Sequence, residues 1–301
     1  MRIGTRRSAL ALAQANFVAG LIGDCEIVPI TTSGDRGAPQ LDKSRWVIEL
    51  EQALAGGDID LAVHSAKDLP GELAEGLTLL GTPARAAHAD VLCGAASLAE
   101  LEPRARIGTS SLRRMAQLRA AREDLDVVEV RGNVDTRLRK LAEGDSGIRA
   151  IVLARAGLER LGRTGEIGGE LTGDAFLPAP GQGALALEGR TGDEAAGRAV
   201  ASITDSGALG CLLAERALAR ALGASCHTPL GALAQPGAAG GELRLAAWVG
   251  LPDGSAWAHD DLSGPASDPE GLGGAVADRM RAAGAGEMLR RAEEMAGVAS
   301  A

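Results

Sequence analysis

The tetrapeptide Arg-Ile-Gly-Thr occurs twice in this chain of 301 residues, at positions 2–5 and 106–109. Each copy runs into serine, arginine and an Ala/Leu/Gln helical pattern: Arg6-Arg7-Ser8-Ala9-Leu10-Ala11-Leu12-Ala13-Gln14 after the first, Ser110-Ser111-Leu112-Arg113-Arg114-Met115-Ala116-Gln117-Leu118 after the second. One structural device used twice is the expectation: a short strand ends at a Gly-Thr turn, a hydroxyl residue caps the next helix, and exposed backbone N–H groups stand beside arginines. Such a place binds an anion. Arginines in a first helical turn oppose the positive end of the helix dipole by a few tenths to about 1 kcal/mol, so something negative is expected to offset them.

The rest of the first two-thirds repeats the same rhythm. Strand patterns at 1–5, 26–31 and 59–65 alternate with helical patterns to about residue 20 and at 47–55, as in an open, largely parallel sheet. A second unit starts near Ala87, with strands at 106–108, 126–130 and 150–154. Leu177-Pro178-Ala179-Pro180-Gly181-Gln182-Gly183 is a rigid passage that reads as a crossing between domains. Beyond Ser206 come a long helix at 209–222, a loop at 223–229, hairpin-like strands around Pro252-Asp253-Gly254 and a closing helix over 269–296. The expected class is α/β: two similar open-sheet domains flanking a cleft, residues 1–83 with 184–201 and residues 87–177, plus a smaller α/β domain at 206–301.

Composition narrows the ligand. With 46% hydrophobic residues the chain can bury real cores, while a net charge of −9 argues against a general nucleic-acid binder or a polybasic membrane surface. Yet ten basic and five acidic residues fall between Arg104 and Lys140, which suggests a small anion in a cleft. An arginine pair precedes the apolar stretch at 8–15, but Gln14 and Asn16 interrupt it and it does not read as an export signal. Cys25, Cys93, Cys211 and Cys226 show no paired spacing, and with four histidines there is no zinc pattern; a reducing cytoplasm, a monomer, and no metal, nucleic-acid or membrane partner are expected. Two Phe, three Trp and no Tyr leave little for base stacking. Arginine outnumbers lysine 28 to 3, so Lys43 and Lys67 stand out as positions where a compact charge is wanted.

Three segments carry chemistry. Asp60-Leu61-Ala62-Val63-His64-Ser65-Ala66-Lys67-Asp68-Leu69-Pro70 is an apolar strand whose exit holds His, Ser, Lys and Asp, where open α/β sheets place their sites. A carboxylate there, next to lysine and facing arginines, can pair with a cationic intermediate or shuttle a proton; a capping Asp with a solvated Lys is the plain alternative. Arg131-Gly132-Asn133-Val134-Asp135-Thr136-Arg137 repeats the anion logic and, with Arg113 and Arg114, puts four guanidinium groups at strand exits of one domain. That number suits a ligand with several carboxylates better than one phosphate, though phosphate stays open. Cys226 lies in the post-helix loop Gly223-Ala224-Ser225-Cys226-His227-Thr228-Pro229, where a functional thiol and a small buried cysteine are both open readings.

Taken together, His64-Ser65-Ala66-Lys67-Asp68-Leu69-Pro70, Gly108-Thr109-Ser110-Ser111-Leu112-Arg113-Arg114, the 131–137 segment, the 177–183 passage and the Cys226 loop resemble the porphobilinogen deaminase (hydroxymethylbilane synthase) family, in order and over nearly the whole chain. The resemblance implies a periplasmic-binding-protein-like pair of domains. It also implies a transferase that joins four porphobilinogen molecules head to tail with release of ammonia, giving the linear tetrapyrrole hydroxymethylbilane. Growth starts on a covalent dipyrromethane cofactor, whose thioether sulfur falls on Cys226. The catalytic carboxylate falls on Asp68 with Lys67 beside it, and the cofactor contacts on Lys67, Ser65, Thr109, Ser111, Arg113, Arg114, Arg131 and Arg137. Substrate contacts fall on Arg6, Ser8, Gln14 and Arg160. One stretch departs from the family pattern: a glycine-rich Gly-Gly-Lys-Gly-Leu-Phe lid is replaced by Asp42-Lys43-Ser44-Arg45-Trp46 in a shorter loop, so Lys43 and Trp46 keep the chemical types without the glycines. Two other readings compete: a two-domain carboxylate-binding protein, which needs neither Cys226 nor Asp68, and a catalytically weakened homologue.

Overall fold

The computed structural model describes residues 1–32, 47–224, 228–237 and 240–297. The first copy of the repeat forms β1 (Arg2–Arg6), followed by α1 (Ala9–Ile22), β2 (Glu26–Ile30), α2 (Ile48–Ala55), β3 (Leu61–Ser65) and β4 (Leu77–Gly81). The chain then enters β5 (Asp90–Cys93), and the second copy forms β6 (Arg106–Gly108). After it come α3 (Leu112–Ala121), β7 (Asp126–Val128), α4 (Val134–Ala142), β8 (Ile148–Ala154), α5 (Arg155–Arg160) and β9 (Gly169–Leu171). It returns through residues 177–184 to β10 (Leu185–Arg190) and α6 (Glu194–Ala201). The last third comprises α7 (Ser206–Ala221), β11 (Leu230–Pro236), β12 (Glu242–Gly250), β13 (Trp257–Pro265), α8 (Pro269–Ala282) and α9 (Ala285–Met295).

The two larger sheets have the same plan, β2-β1-β3-β10-β4 and β7-β6-β8-β5-β9. In each, a copy of the tetrapeptide is flanked by two parallel partners, β2 and β3 around β1, β7 and β8 around β6. The fourth strand runs antiparallel to both neighbours: β10 against β3 and β4, β5 against β8 and β9. The sheets are therefore mixed. A chain that leaves one sheet at the end where its parallel strands exit enters the next sheet from that same end, and so must run the opposite way. The two crossings touch, with Ala86 N donating to Gly183 O at 3.2 Å and Arg85 Nε to Gln182 O at 2.9 Å.

Burial follows strand alternation. In the first sheet Leu61, Val63, Leu185 and Leu187 pack with Ile3 against Ala15 and Val18 of α1, while Ala62 faces Leu50 and Leu54 of α2. In the second, Leu92, Ile107 and Val152 pack against Leu118 of α3, and Val91, Ile151 and Leu153 against Leu138 of α4. The third sheet is an antiparallel meander, β11-β12-β13. Leu243, Leu245, Ala247 and Val249 of β12 turn toward α7, α8 and α9, whereas Ala246 and Trp248 turn to Ala116 of α3 and Leu177. The expected single closing helix is instead two, because Gly284 takes a left-handed φ of 88° that breaks the helix before Ala285. Among the described residues no helix is long and apolar enough to cross a membrane.

Candidate functional site

The first sheet builds its rim from β1, β3 and the start of α1. Ser8 caps α1, its Oγ accepting from Ala11 N at 3.3 Å, and the buried Thr5 hydroxyl donates to Ala11 O, so the turn between strand and helix is fixed. β3 ends at Ser65 and tightens into the 3₁₀ turn Ala66–Asp68, held by burial of Ala66 and Leu69. A cavity of about 70 Å³ opens there, and among its walls are Arg6, Ser8, Gln14, His64, Ser65 and Asp68. Five of the residues expected from sequence thus meet at one place. Lys67 is not among those walls; its Nζ donates to Gln182 Oε1 at 3.3 Å. Behind the cavity His64 Nε2 lies 2.8 Å from Glu188 Oε2, both side chains buried.

The second sheet's rim is built on different terms. Ser111 caps α3 by accepting from Arg114 N at 3.4 Å, and Thr109, fully buried, accepts from Ser111 N. Arg113 and Arg114, in the first turn, fold inward onto Asp90 of β5: Arg113 Nη1 lies 2.8 Å from Oδ2 and Arg114 Nη2 2.6 Å from Oδ1. Arg113 also donates to Gln117 Oε1 and Leu177 O, and Arg114 to Val152 O. A negative group that offsets the two arginines at this helix start is the protein's own Asp90. Burial alone would raise the Asp90 carboxyl, but the two guanidinium groups overcome it and hold the acid well below the usual carboxylate range. Arg113 and Arg114 each keep a buried Nε without a hydrogen-bond partner among the described residues.

Arg137 and Arg160 differ. Among the described residues Arg137 donates only to neutral acceptors, Gly132 O at 2.8 Å and Ser110 Oγ at 2.9 Å, and its guanidinium is brought down to about 10 by burial and by repulsion from Arg114, against the pull of Asp68 and Glu129. Arg160 donates to Gly183 O and is likewise lowered by burial. A desolvated cation with no carboxylate hydrogen-bonded to it among the described residues is what an anionic ligand would complete. Arg131 is exposed and pairs with Glu129 at 2.6 Å. The donor set fits a group with several carboxylates, the character of dipyrromethane: two half-buried guanidinium groups and two orphaned Nε atoms.

Sequence reasoning did not single out the residues that hold the rims together. Glu215 of α7, fully buried, accepts from Arg85 Nη1 and Nη2 at 2.6 and 3.1 Å, from Gly181 N at 2.6 Å and from Ala234 N at 2.7 Å, tying both crossings to the third sheet. Arg216 beside it donates to Pro70 O and Gly71 O, just past Asp68. Gln182 joins Lys67 to Asp90. The available signal was an acid or amide inside an apolar run, as at Asp90-Val91-Leu92-Cys93. Cys226, Lys43 and Trp46 lie outside the described residues.

A family profile described as "Porphobilinogen deaminase, dipyromethane cofactor binding domain" matches residues 1–198, and "Porphobilinogen deaminase, C-terminal domain" matches residues 209–282. The porphobilinogen deaminase of Roseiflexus sp. (strain RS-1) is 45% identical over 291 residues, covering 92% of this chain and 94% of that protein. Those of Roseiflexus castenholzii and Xanthomonas oryzae pv. oryzae are 44% identical over 302 and 303 residues, each covering 96% of this chain and 98% of theirs. Among solved structures, immunogenic lipoprotein A from Vibrio vulnificus aligns with a TM-score of 0.42 at 13% identity, over 67% of this chain and 94% of that one.

Proposed function

We propose, from the premise that this chain belongs to the porphobilinogen deaminase family, that its two facing rims form one reaction site. The activity is that of the family: porphobilinogen molecules are condensed with release of ammonia into hydroxymethylbilane on a dipyrromethane cofactor. When bound, that cofactor supplies the pyrrole α-carbon from which the chain grows.

The protein's own groups divide the remaining work. Arg6, Ser8 and Gln14 on the first rim, with Arg160, take the carboxylates of incoming substrate. Arg131, Arg137, Thr109, Ser111 and the Nε atoms of Arg113 and Arg114 take those of the cofactor, with Ser65 and Lys67 at its other side. Asp68, at the wall of the cavity, holds negative charge against pyrrole nitrogens and accepts or returns a proton there. The observation that carries this reading is Arg137, a half-buried cation that feels the charge of Asp68 and whose hydrogen-bond partners among the described residues, Gly132 O and Ser110 Oγ, are both neutral.

Cys226 is the attachment point. In support, burial raises the thiols of Cys25 and Cys211 and pushes Cys93 up to about 11, so each is poor in nucleophilic thiolate at neutral pH. Cys226→Ala is expected to give folded protein that lacks the covalent pyrrole mass and forms no product. An adduct retained in that variant, seen by intact mass, assigns the attachment elsewhere. A cytoplasmic monomer with neither nucleic acid nor membrane as partner completes the proposal. The net charge of −9 supports it, and sedimentation velocity and cell fractionation check it.

A further inference from the structure

We infer, resting on the reaction site just described, that Gln182 is a positioning residue for Lys67: its carboxamide sets where the lysine ammonium stands and ties that placement to the Asp90–arginine group of the other sheet. Gln182 lies fully buried in the second crossing. Its Nε2 donates to His88 O and to Asp90 Oδ1, both at 2.8 Å, and its Oε1 accepts from Lys67 Nζ at 3.3 Å. The orientation of the amide is not free. Turned over, it would set an NH₂ against an ammonium and an oxygen against both a carbonyl and a carboxylate.

No other side chain of this length satisfies all three neighbours. A glutamate would bring a second carboxylate to 2.8 Å from Asp90, and a methionine would leave Lys67, His88 O and Asp90 each short of a partner. Consecutive residues of the Ala66–Asp68 turn are thereby sent apart, with Asp68 on the cavity wall and Lys67 held at the crossing. From Lys67 an unbroken polar chain runs through Gln182 and Asp90 to Arg113 and Arg114, from the exit of the first sheet to the first helical turn of the second. A shift of one sheet against the other moves the ammonium.

The chain has three lysines, Lys43, Lys67 and Lys140, so amine acylation followed by peptide mass mapping reads Lys67 by itself, with Lys140 as the internal standard. In holoenzyme carrying Gln182→Met, Lys67 is expected to acylate about tenfold faster than in the native protein, the scale of one hydrogen bond to a charged group. The intact mass should still show the adduct, and kcat should fall about tenfold with KM within about twofold. In a Lys67→Met background, Gln182→Met should cost nothing further, because its effect passes through the lysine. Should Gln182→Met fail to fold, Gln182→Asn, one methylene too short to span Lys67 and Asp90, is read in the same way. Unchanged acylation at Lys67, or losses that simply multiply in the double variant, overturn the inference. Full activity in Lys67→Met alone would instead sink the role given to the lysine in the reaction site.

Discussion

Aligned on their capping serines, Ser8 and Ser111, the two strand–turn–helix openings place Gln14 and Gln117 at the same helical position, both buried. Yet Leu10 and Ala11 stand in the first opening where Arg113 and Arg114 stand in the second. The first opening has three residues from Thr5 to its cap, the second only two from Thr109. In the first, Arg6 therefore falls before the helix, on the wall of a cavity with Asp68. In the second, the arginines fall inside the first turn, are drawn under the helix by Asp90, and leave the open side to Arg137. One motif thus gives a cavity wall in one sheet and a buried ion cluster in the other. The same residue types do different work according to which side of the cap they occupy.

The largest expected effect tests the first rim. Asp68→Asn keeps the shape and removes only the charge, so activity should drop by roughly two to four orders of magnitude while melting temperature and adduct mass stay native. Turnover within a few-fold of native would take the chemistry away from that rim.

Asp90→Asn tests the second rim and should behave in the opposite way. Two buried guanidinium groups lose their counter-charge, at a cost of about 3–5 kcal/mol in unfolding free energy measured by urea titration. The pH dependence has a definite sign. The folded-state acid constant of Asp90 lies below its ordinary 3.8, so its contribution is fully present above that pH and is lost as pH falls below it. The stability gap between native protein and Asp90→Asn should therefore hold from neutrality to about pH 4 and close only in stronger acid. A gap that closes already near pH 6 would mean that another group supplies the compensation.

Arg137→Met sharpens the contrast within the second rim. Because this cation is desolvated and its hydrogen-bond partners among the described residues are neutral, its removal should leave stability unchanged or slightly higher, while binding of the carboxylate ligand weakens about tenfold, as loss of one hydrogen bond to a charged group would. A loss of stability like that of Asp90→Asn would make Arg137 structural.

The smallest effect separates the two glycines of the repeat. A Cβ on Gly4 would meet Ile59 Cδ1, the far end of a flexible side chain, at 2.2 Å, whereas on Gly108 it would meet Val130 Cγ2 at 2.4 Å and Ile151 Cγ2 at 3.0 Å. A Cγ2 methyl fixed directly on a branched Cβ yields less than a terminal Cδ1, so Gly108→Ala should be the costlier by about 1 kcal/mol in denaturant melts. Equal costs would show that the first sheet has no more give than the second.

Much of this was legible in one dimension. The duplicated tetrapeptide, the capping serines and the 3.6-residue pattern of α1 and α3 are local, and local sequence settles local conformation because caps, turn residues and apolar spacing act within one or two turns. The family's motif residues were likewise readable, and five of them line one cavity. The antiparallel strands β5 and β10 were not legible, since an apolar run carries no sign of its direction and the crossings set it. Nor were the partners of Arg113 and Arg114: Asp90 lies more than twenty residues away, and only pairing of β5 with β8 brings it beneath α3. By itself the sequence determined that this chain makes two sheets of one plan, with arginines at their exits and a carboxylate at Asp68. Which of those cations pair with an internal carboxylate and which do not was decided by the tertiary structure, because charge compensation acts through space and a buried guanidinium takes whatever carboxylate the fold brings within reach.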